Sequence, residues 1–361
     1  MPDGLEQIGA LLHAAIKSGG IPGAVAIAGQ GQVTVAQWTV GQADALQGRP
    51  MRADTVFDLA SLTKVVATAT VILALAGRGE LGLADPVADY LPGFAACRDA
   101  GVTVAHLLTH TSGLPGSRQF YRWCGSRDAL LRDLAQTALE APPGSRVRYS
   151  DPGFITLGEV AAAAAGQPLG VAVRRLVTVP LGLASVTFVP NGSAHHFAAT
   201  ETRGDGTAWT GVVHDENARL MGGVAGHAGL FATAPDLARF AAWWVSDDDT
   251  AVPARLRRDA TACQTGGTGR TESPGGRRGY GWTCAGDAFD ILGGHWPPTA
   301  VSHTGFTGTS LALDPATGRW LVLLTNAVHF GRDATAIVAL RRAVHAVSWG
   351  TGPGRVTSRT A

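Results

Sequence analysis

The chain alternates between two kinds of apolar pattern. Residues 5–18 place Leu5, Ile8, Leu11, Leu12 and Ala15 at helical spacing, which predicts an amphipathic helix. Gly23–Ala28 and Gln32–Val40 are short apolar runs around Gly-Gln-Gly and read as a strand hairpin. Ser61–Ala76 is rich in Ala, Val, Leu and Thr and reads as a buried helix ending at Gly77. From 80 to 180 the pattern is helical between Pro and Gly breaks, over Val104–Leu108, Arg127–Leu139, Pro152–Ala165 and Gly170–Val177. Residues 191–230 are rich in Gly, His, Asp and Asn and read as loops, and Pro235–Val245 as a helix. Residues 263–298 look irregular. Strand character returns at Thr307–Leu313 and Arg319–Thr325, joined by the turn signal Asp-Pro-Ala-Thr-Gly, before a last helix within 332–349.

An α–β–β start and a β–β–α end around a helical middle predict an α/β fold whose sheet lobe is interrupted by a helical insertion. The expected organisation is one domain over 1–349. Its α/β lobe comes from 1–45 and 293–349, its mainly helical lobe from 46–292, and 350–361 form a flexible tail.

Composition narrows the function. Of the 361 residues 45% are hydrophobic and 16% charged, so the chain has the means to bury a core. With 29 basic and 28 acidic residues it has no charge excess for nucleic acid. No run of about 18 uncharged apolar residues marks a membrane span. The start, MPDGLEQIGALLHAAIKSGG, lacks a basic segment followed by a continuous apolar core, so a cytoplasmic location is expected. Cys97, Cys124, Cys263 and Cys284 show no CxxC pairing and read as buried or half-buried thiols. The only lysines are Lys17 and Lys64; the other 27 basic residues are Arg. Lys can shed its proton and serve as a base, whereas Arg effectively cannot, so a surviving Lys invites a chemical reason.

Lys64 lies three residues after Ser61, at the head of the buried helix. Positions i and i+3 share a helix face, so amine and hydroxyl can meet. Serine needs a neighbouring base to become a nucleophile, and a helix N-terminus adds N–H groups for a developing oxyanion. Tyr149-Ser150-Asp151 precedes the Pro152 helix, and His303-Thr304-Gly305-Phe306-Thr307-Gly308 opens a strand near the C-terminus. These three motifs, in this order, resemble the serine β-lactamases and penicillin-binding proteins, especially the class C-like serine hydrolases: esterases, D-aminopeptidases, muramyl-peptide amidases and acyltransferases. Leu107–Leu114 and Pro180–Leu183 are similar to the same family, and the resemblance spans about residues 5–348.

The resemblance implies a β-lactamase/transpeptidase-like fold, with an antiparallel sheet flanked by terminal helices. It makes Ser61 the acylated nucleophile, Lys64 and Tyr149 its proton-transfer partners, and the backbone N–H groups of Ser61 and Phe306 the oxyanion hole. For Tyr149 to work near neutral pH, its pKa of about 10 must be lowered by a nearby cation, for which Lys64 is the candidate. Two positions depart from the family pattern. Asp151 stands where Asn is frequent; it can pair with Lys64, raising the Lys pKa, or accept from a substrate donor. His303 stands where a β-lactamase carries a permanent cation, and a His is largely neutral at pH 7. Poor β-lactam hydrolysis and neutral ester or amide substrates follow.

Asp151, His303, Thr304 and Gly305 are thus candidate substrate contacts, joined by His214 and Asn217. These last two belong to His214-Asp215-Glu216-Asn217, which with Gly222–Phe231 resembles the muramyl-peptide amidase branch. Neither that cluster nor His106 and His110 is read as a metal site: adjacent residues rarely converge on one ion and no HExxH frames them. The His106 pair reads as scaffold and His195-His196 as an exposed loop. No cofactor is expected, and the partner is a small-molecule ester or amide. Acyl transfer to an amine or alcohol is the alternative reaction, and a non-catalytic ligand sensor the alternative class. Oligomeric state is not legible.

Overall fold

A computed structural model describes residues 4–193, 196–266, 276–292 and 296–348. The first strands are β1 (Gly23–Gln30), β2 (Val33–Asp44), β3 (Arg49–Pro50) and β4 (Val56–Asp58). The middle of the chain supplies β5 (Thr187–Phe188), β6 (Ala199–Thr202), β7 (Ala208–Thr210) and β8 (Leu230–Thr233). The last are β9 (Thr283–Cys284), β10 (Val301–Thr304), β11 (Ser310–Asp314) and β12 (Arg319–Thr325). Among the described residues they form an antiparallel main sheet in the order β3-β2-β1-β12-β11-β10-β9, a small sheet β4-β8-β5, and the ribbon β6-β7. Helices flank an antiparallel sheet, the arrangement that the resemblance implies.

Chain ends meet at the sheet centre, where β1 pairs with β12 from Ala24↔Thr325 to Gln30↔Arg319. Successive side chains point to opposite faces and both faces are covered, so these strands are apolar on consecutive residues between their polar ends. Ala24, Ala26, Ala28, Ala312, Leu321 and Leu323 pack against the terminal helices Leu5–Lys17 and Thr335–Val347, through Leu5, Ile8, Leu12, Ile337, Leu340 and Val344. Val25, Ile27, Leu311, Leu313, Val322 and Leu324 face the opposite core, shared with the helices of the chain's middle.

The stretch Ala60–Gly77 is long and apolar enough to cross a membrane by composition, but it is buried inside this core with Lys64 in its first turns. It is not the uniform helix that its pattern predicts. A tight turn over Ala60–Leu62 passes into a widened turn over Lys64–Ala69 and becomes α-helical only at Thr70–Gly77. The Thr70 hydroxyl donates to the Val65 carbonyl five residues back at 2.7 Å, bracing the widened turn.

Other expectations need correction. The helix predicted over Arg127–Leu139 stops at Ala135; Thr137 turns its hydroxyl back to Asp133 O, and Glu140 N leaves for Gly113 O. Residues 191–230 are not all loop. They hold β6, β7 and the helix Glu216–Leu220, because partners distant in sequence complete them: Thr202 Oγ1 donates to His329 O, and His329 Nδ1 bonds Thr200 O. The irregular reading of 263–298 misses β9, an edge strand that exists through pairing with β10. The expected flexible tail, 350–361, lies outside the described residues, as does His195.

Candidate active site

Ser61 sits at a forced bend. Ala60, immediately before it, has φ of 46°, a left-handed conformation that costs a residue with a Cβ. The Asp58 carboxylate compensates by accepting from Ala60 N at 2.8 Å and from His214 N at 2.6 Å. Burial raises the Asp58 pKa against these two bonds. The result presents the half-buried Ser61 to a cleft of about 560 Å³.

Lys64 is fully buried, and all three of its ammonium donors are used. They reach Asp151 Oδ1 at 2.7 Å, His227 O at 3.0 Å and Ser61 Oγ at 3.1 Å. Burial pulls the Lys64 pKa down, but the Asp151 carboxylate and the Tyr149 phenol outweigh it and hold it above its ordinary value. The His227 contact depends on Gly226. A Cβ there would lie 2.0 Å from Phe154 O and 2.9 Å from Gly158 Cα, so only glycine lets the loop before β8 bring His227 O beneath the amine.

Tyr149 and Asp151 flank one anchored residue. Ser150 caps the helix Asp151–Ala165, accepting from Gly153 N at 2.9 Å while donating to Pro115 O at 2.6 Å. Its own N–H donates to His110 Nδ1 at 3.0 Å, which assigns His110 to the scaffold. His106 is likewise spent, its Nδ1 accepting from Thr103 N at 3.2 Å in a helix capping box. Tyr149 therefore projects toward Lys64, whose Nζ lies 4.8 Å from the ring centroid, and its hydroxyl faces the Lys64 and Ser61 side chains. Of the two partners open to Asp151, the structure selects Lys64.

One expectation fails. The Tyr149 pKa is raised, not lowered. Burial is the largest cause; the Lys64 ammonium opposes it, but the Asp151 carboxylate cancels part of that pull. The resting pair is an ammonium beside a neutral phenol.

β10 and the turn after it close the cleft. His303 is buried, and its pKa falls to about 3 through burial and the charges of Lys64 and Arg278. Its Nδ1 bonds Thr304 O at 3.0 Å, leaving Nε2 as an acceptor. The turn is bolted to the segment before Ser61: Thr307 Oγ1 donates to Asp58 O at 2.7 Å and Thr309 Oγ1 to Leu59 O at 3.0 Å. Thr304 and Gly305 line the cleft, and Phe306 stands 52% exposed at its mouth. Among the described residues, the N–H groups of Ser61 and Phe306 find no acceptor in the protein.

His214 forms the opposite wall, its ring stacked on Phe306 at 5.7 Å with 20° between planes. Glu201 Oε2 holds it at 3.0 Å, and Arg332 ties Glu201 to Glu216 with bonds of 2.8 and 2.6 Å. Asn217 also lines the cleft, but its amide is spent on the loop before Arg127: Oδ1 accepts from Tyr121 N at 3.1 Å and Nδ2 donates to Arg118 O at 2.7 Å. Asp215 caps Ala218 N and bonds His227 Nε2 at 2.9 Å. His214, Asp215 and Glu216 thus serve three different partners.

Sequence reasoning missed Asp58, the His227 carbonyl, Arg278 and Arg341 as parts of this site. Only Arg341 left a signal: it falls on the apolar stripe of its helix, between Ile337 and Val344, where an unexplained cation is out of place.

The β-lactamase family model matches residues 8–346. Esterase EstB of Burkholderia gladioli is 31% identical over 385 residues, covering 94% of this chain and 95% of that protein. Among solved structures, EstCE1, described as a hydrolase with promiscuous acyltransferase activity, superposes with a TM-score of 0.78 at 24% identity over 96% of this chain and 98% of that one. Simvastatin synthase from Aspergillus terreus gives 0.74 at 20% identity over 96% and 97%. A serine hydroxyl, an amine and a phenol converge in one cleft, and the chain is a serine hydrolase. The chain belongs to the β-lactamase family.

Proposed function

We propose that the protein cleaves a small ester or amide through an acyl-enzyme on Ser61, and that it handles β-lactams poorly. The observation that carries this reading is the Lys64 ammonium, 3.1 Å from Ser61 Oγ and locked there by Asp151 and His227 O. Ser61 Oγ accepts from Lys64, so its own hydrogen is free to go to the Tyr149 oxygen. The reactive form has lost one proton from the Lys64–Tyr149 pair, and the two groups titrate as a unit. In that form Tyr149, a phenolate stabilised by Lys64, takes the Ser61 proton as Oγ bonds the substrate carbonyl carbon. The negative oxygen rests on the Ser61 and Phe306 N–H groups. Tyr149 returns the proton to the departing alcohol or amine as its bond to the carbonyl carbon breaks. Water then gives a proton to Tyr149 as its oxygen bonds the acyl carbon; the bond from that carbon to Ser61 Oγ breaks, and Tyr149 returns the proton to Oγ as the acid leaves.

The neutral His303 offers no counter-charge to a substrate carboxylate, which supports neutral substrates. The test is a fluorophosphonate probe followed by mapping of the adduct, with p-nitrophenyl esters assayed in parallel. The expected adduct is on Ser61, with measurable short-chain ester turnover. Labelling elsewhere, or none in an active preparation, overturns the reading.

Transfer to an acceptor other than water has its own support. Phe306 and Phe289, 52% and 73% exposed, give the cleft mouth an apolar platform on which an alcohol or amine can wait beside the acyl group. EstCE1's description as a promiscuous acyltransferase points the same way. Product analysis with added amines and alcohols separates the reactions; hydrolysis products alone across many acceptors would exclude transfer.

A further inference from the structure

Arg341 is buried beneath the turn after β10 and, among the described residues, makes no ion pair. Burial lowers its pKa to about 10, still well above neutrality, so a full positive charge sits there unpaired. Such a charge is costly to bury. One of its guanidinium nitrogens, Nη2, donates to Gly305 O at 2.6 Å and to Thr309 O at 2.8 Å, while Nε finds no partner among the described residues.

The Gly305 carbonyl belongs to the same peptide unit as the Phe306 N–H. The described chain holds no cis peptide, so in this unit C=O and N–H point in opposite directions. Fixing one therefore aims the other. Gly308 N also donates to Gly305 O, at 3.1 Å, but Arg341 supplies the shorter and charge-assisted bond. Withdrawing electron density through the carbonyl makes the N–H at the far end a stronger donor. Nothing can substitute from the glycine's side: a Cβ on Gly305 would lie 2.1 Å from Thr309 Oγ1 and 2.4 Å from Leu59 O.

We propose that Arg341 is a positioning residue for the oxyanion hole, gripping the Gly305 carbonyl so that the Phe306 N–H is aimed into the cleft and polarised. The proposal rests on the Ser61 acyl-enzyme reading. It assigns the buried charge a role that appears in the transition state and not in substrate binding.

The test compares Arg341→Met and Arg341→Lys with the parent. For Met, kcat on a p-nitrophenyl ester is expected to fall about 10- to 100-fold, a fraction of the cost of deleting an oxyanion donor. KM should move less than about twofold, and a boronic acid that forms a tetrahedral adduct on Ser61 should lose affinity in proportion to kcat. Lys, which keeps the charge without the planar fork, should recover part of the loss. In protein labelled with 15N-Phe, the Phe306 amide proton should move upfield in the Met variant. Since Met removes an unpaired buried charge, the melting temperature should hold or rise. Should Met fail to fold, Lys decides the matter: reduced kcat with unchanged KM is expected. Parent-like kcat and boronate affinity in the folded variants, or a loss carried by KM, overturns the proposal. The acyl-enzyme reading fails separately, through absence of fluorophosphonate labelling on Ser61 in the parent.

Discussion

Two cavities invite comparison. The larger, about 940 Å³, lies on the helical side between Arg127, Glu159, Val171, Val179, Val189 and Val224. The smaller, about 560 Å³, holds Ser61, Tyr149, Asp151, His214 and His303. In the larger groove Arg127 pairs with Glu159 at 2.7 Å, and no lining side chain is a placed nucleophile. In the smaller cleft nearly every polar group is held by a second one. Ser61 is set by Asp58 and Lys64, Lys64 by Asp151 and His227, Tyr149 by the Ser150 anchor, and the β10 turn by Thr307, Thr309 and Arg341. Convergent, supported polarity, and not volume, marks the smaller cleft as the candidate active site.

The comparison breaks most directly at Ser61. Ser61→Ala should cut ester turnover about 10³-fold or more, because the other groups have no acyl acceptor to act on. Parent-level turnover in that variant would instead favour the ligand-sensor reading or another site. Tyr149→Phe removes the proton carrier and should lower kcat about 10²- to 10³-fold with little change in KM, as steady-state kinetics would record. Asp151→Asn sharpens the picture without abolishing activity. Losing the carboxylate lowers the Lys64 pKa, so the rising limb of the kcat/KM pH profile should move toward lower pH. A limb that stays in place would show that Lys64 does not belong to the titrating pair. Stability should carry a second pH signature. Burial depresses His110, and lowers His303 and His345 to about 3, below the unfolded value of about 6.5. The unfolded chain then binds more protons, so the melting temperature should fall as pH drops from about 6.5 toward 3. At the small end, Val179→Ser in the larger groove, where Val179 is 62% exposed, should leave ester turnover within about twofold.

The chain itself was informative wherever chemistry is local. Ser61 and Lys64 are one turn apart, and Tyr149 and Asp151 flank one helix cap, so their spacing spoke before any coordinates did. The paired ends of the fold were legible for a similar reason: β1 and β12 are apolar except at the strand ends Gln30, Arg319 and Thr325, because both of their faces are covered. What the sequence left open was decided by contacts between distant segments. Asp151 can face Lys64 or the substrate, and only the approach of residues 61–64 to the 149–151 cap chose the first. The phenol's direction of shift depended on how much water remains around it, which no spacing encodes, and burial reversed the simple expectation from a neighbouring cation. Arg341, 36 residues past Gly305, acquires meaning only when its helix lies under the β10 turn. Residue type and interval state which groups are available; orientation, desolvation and the pairing of remote backbone atoms arise only when the chain closes on itself.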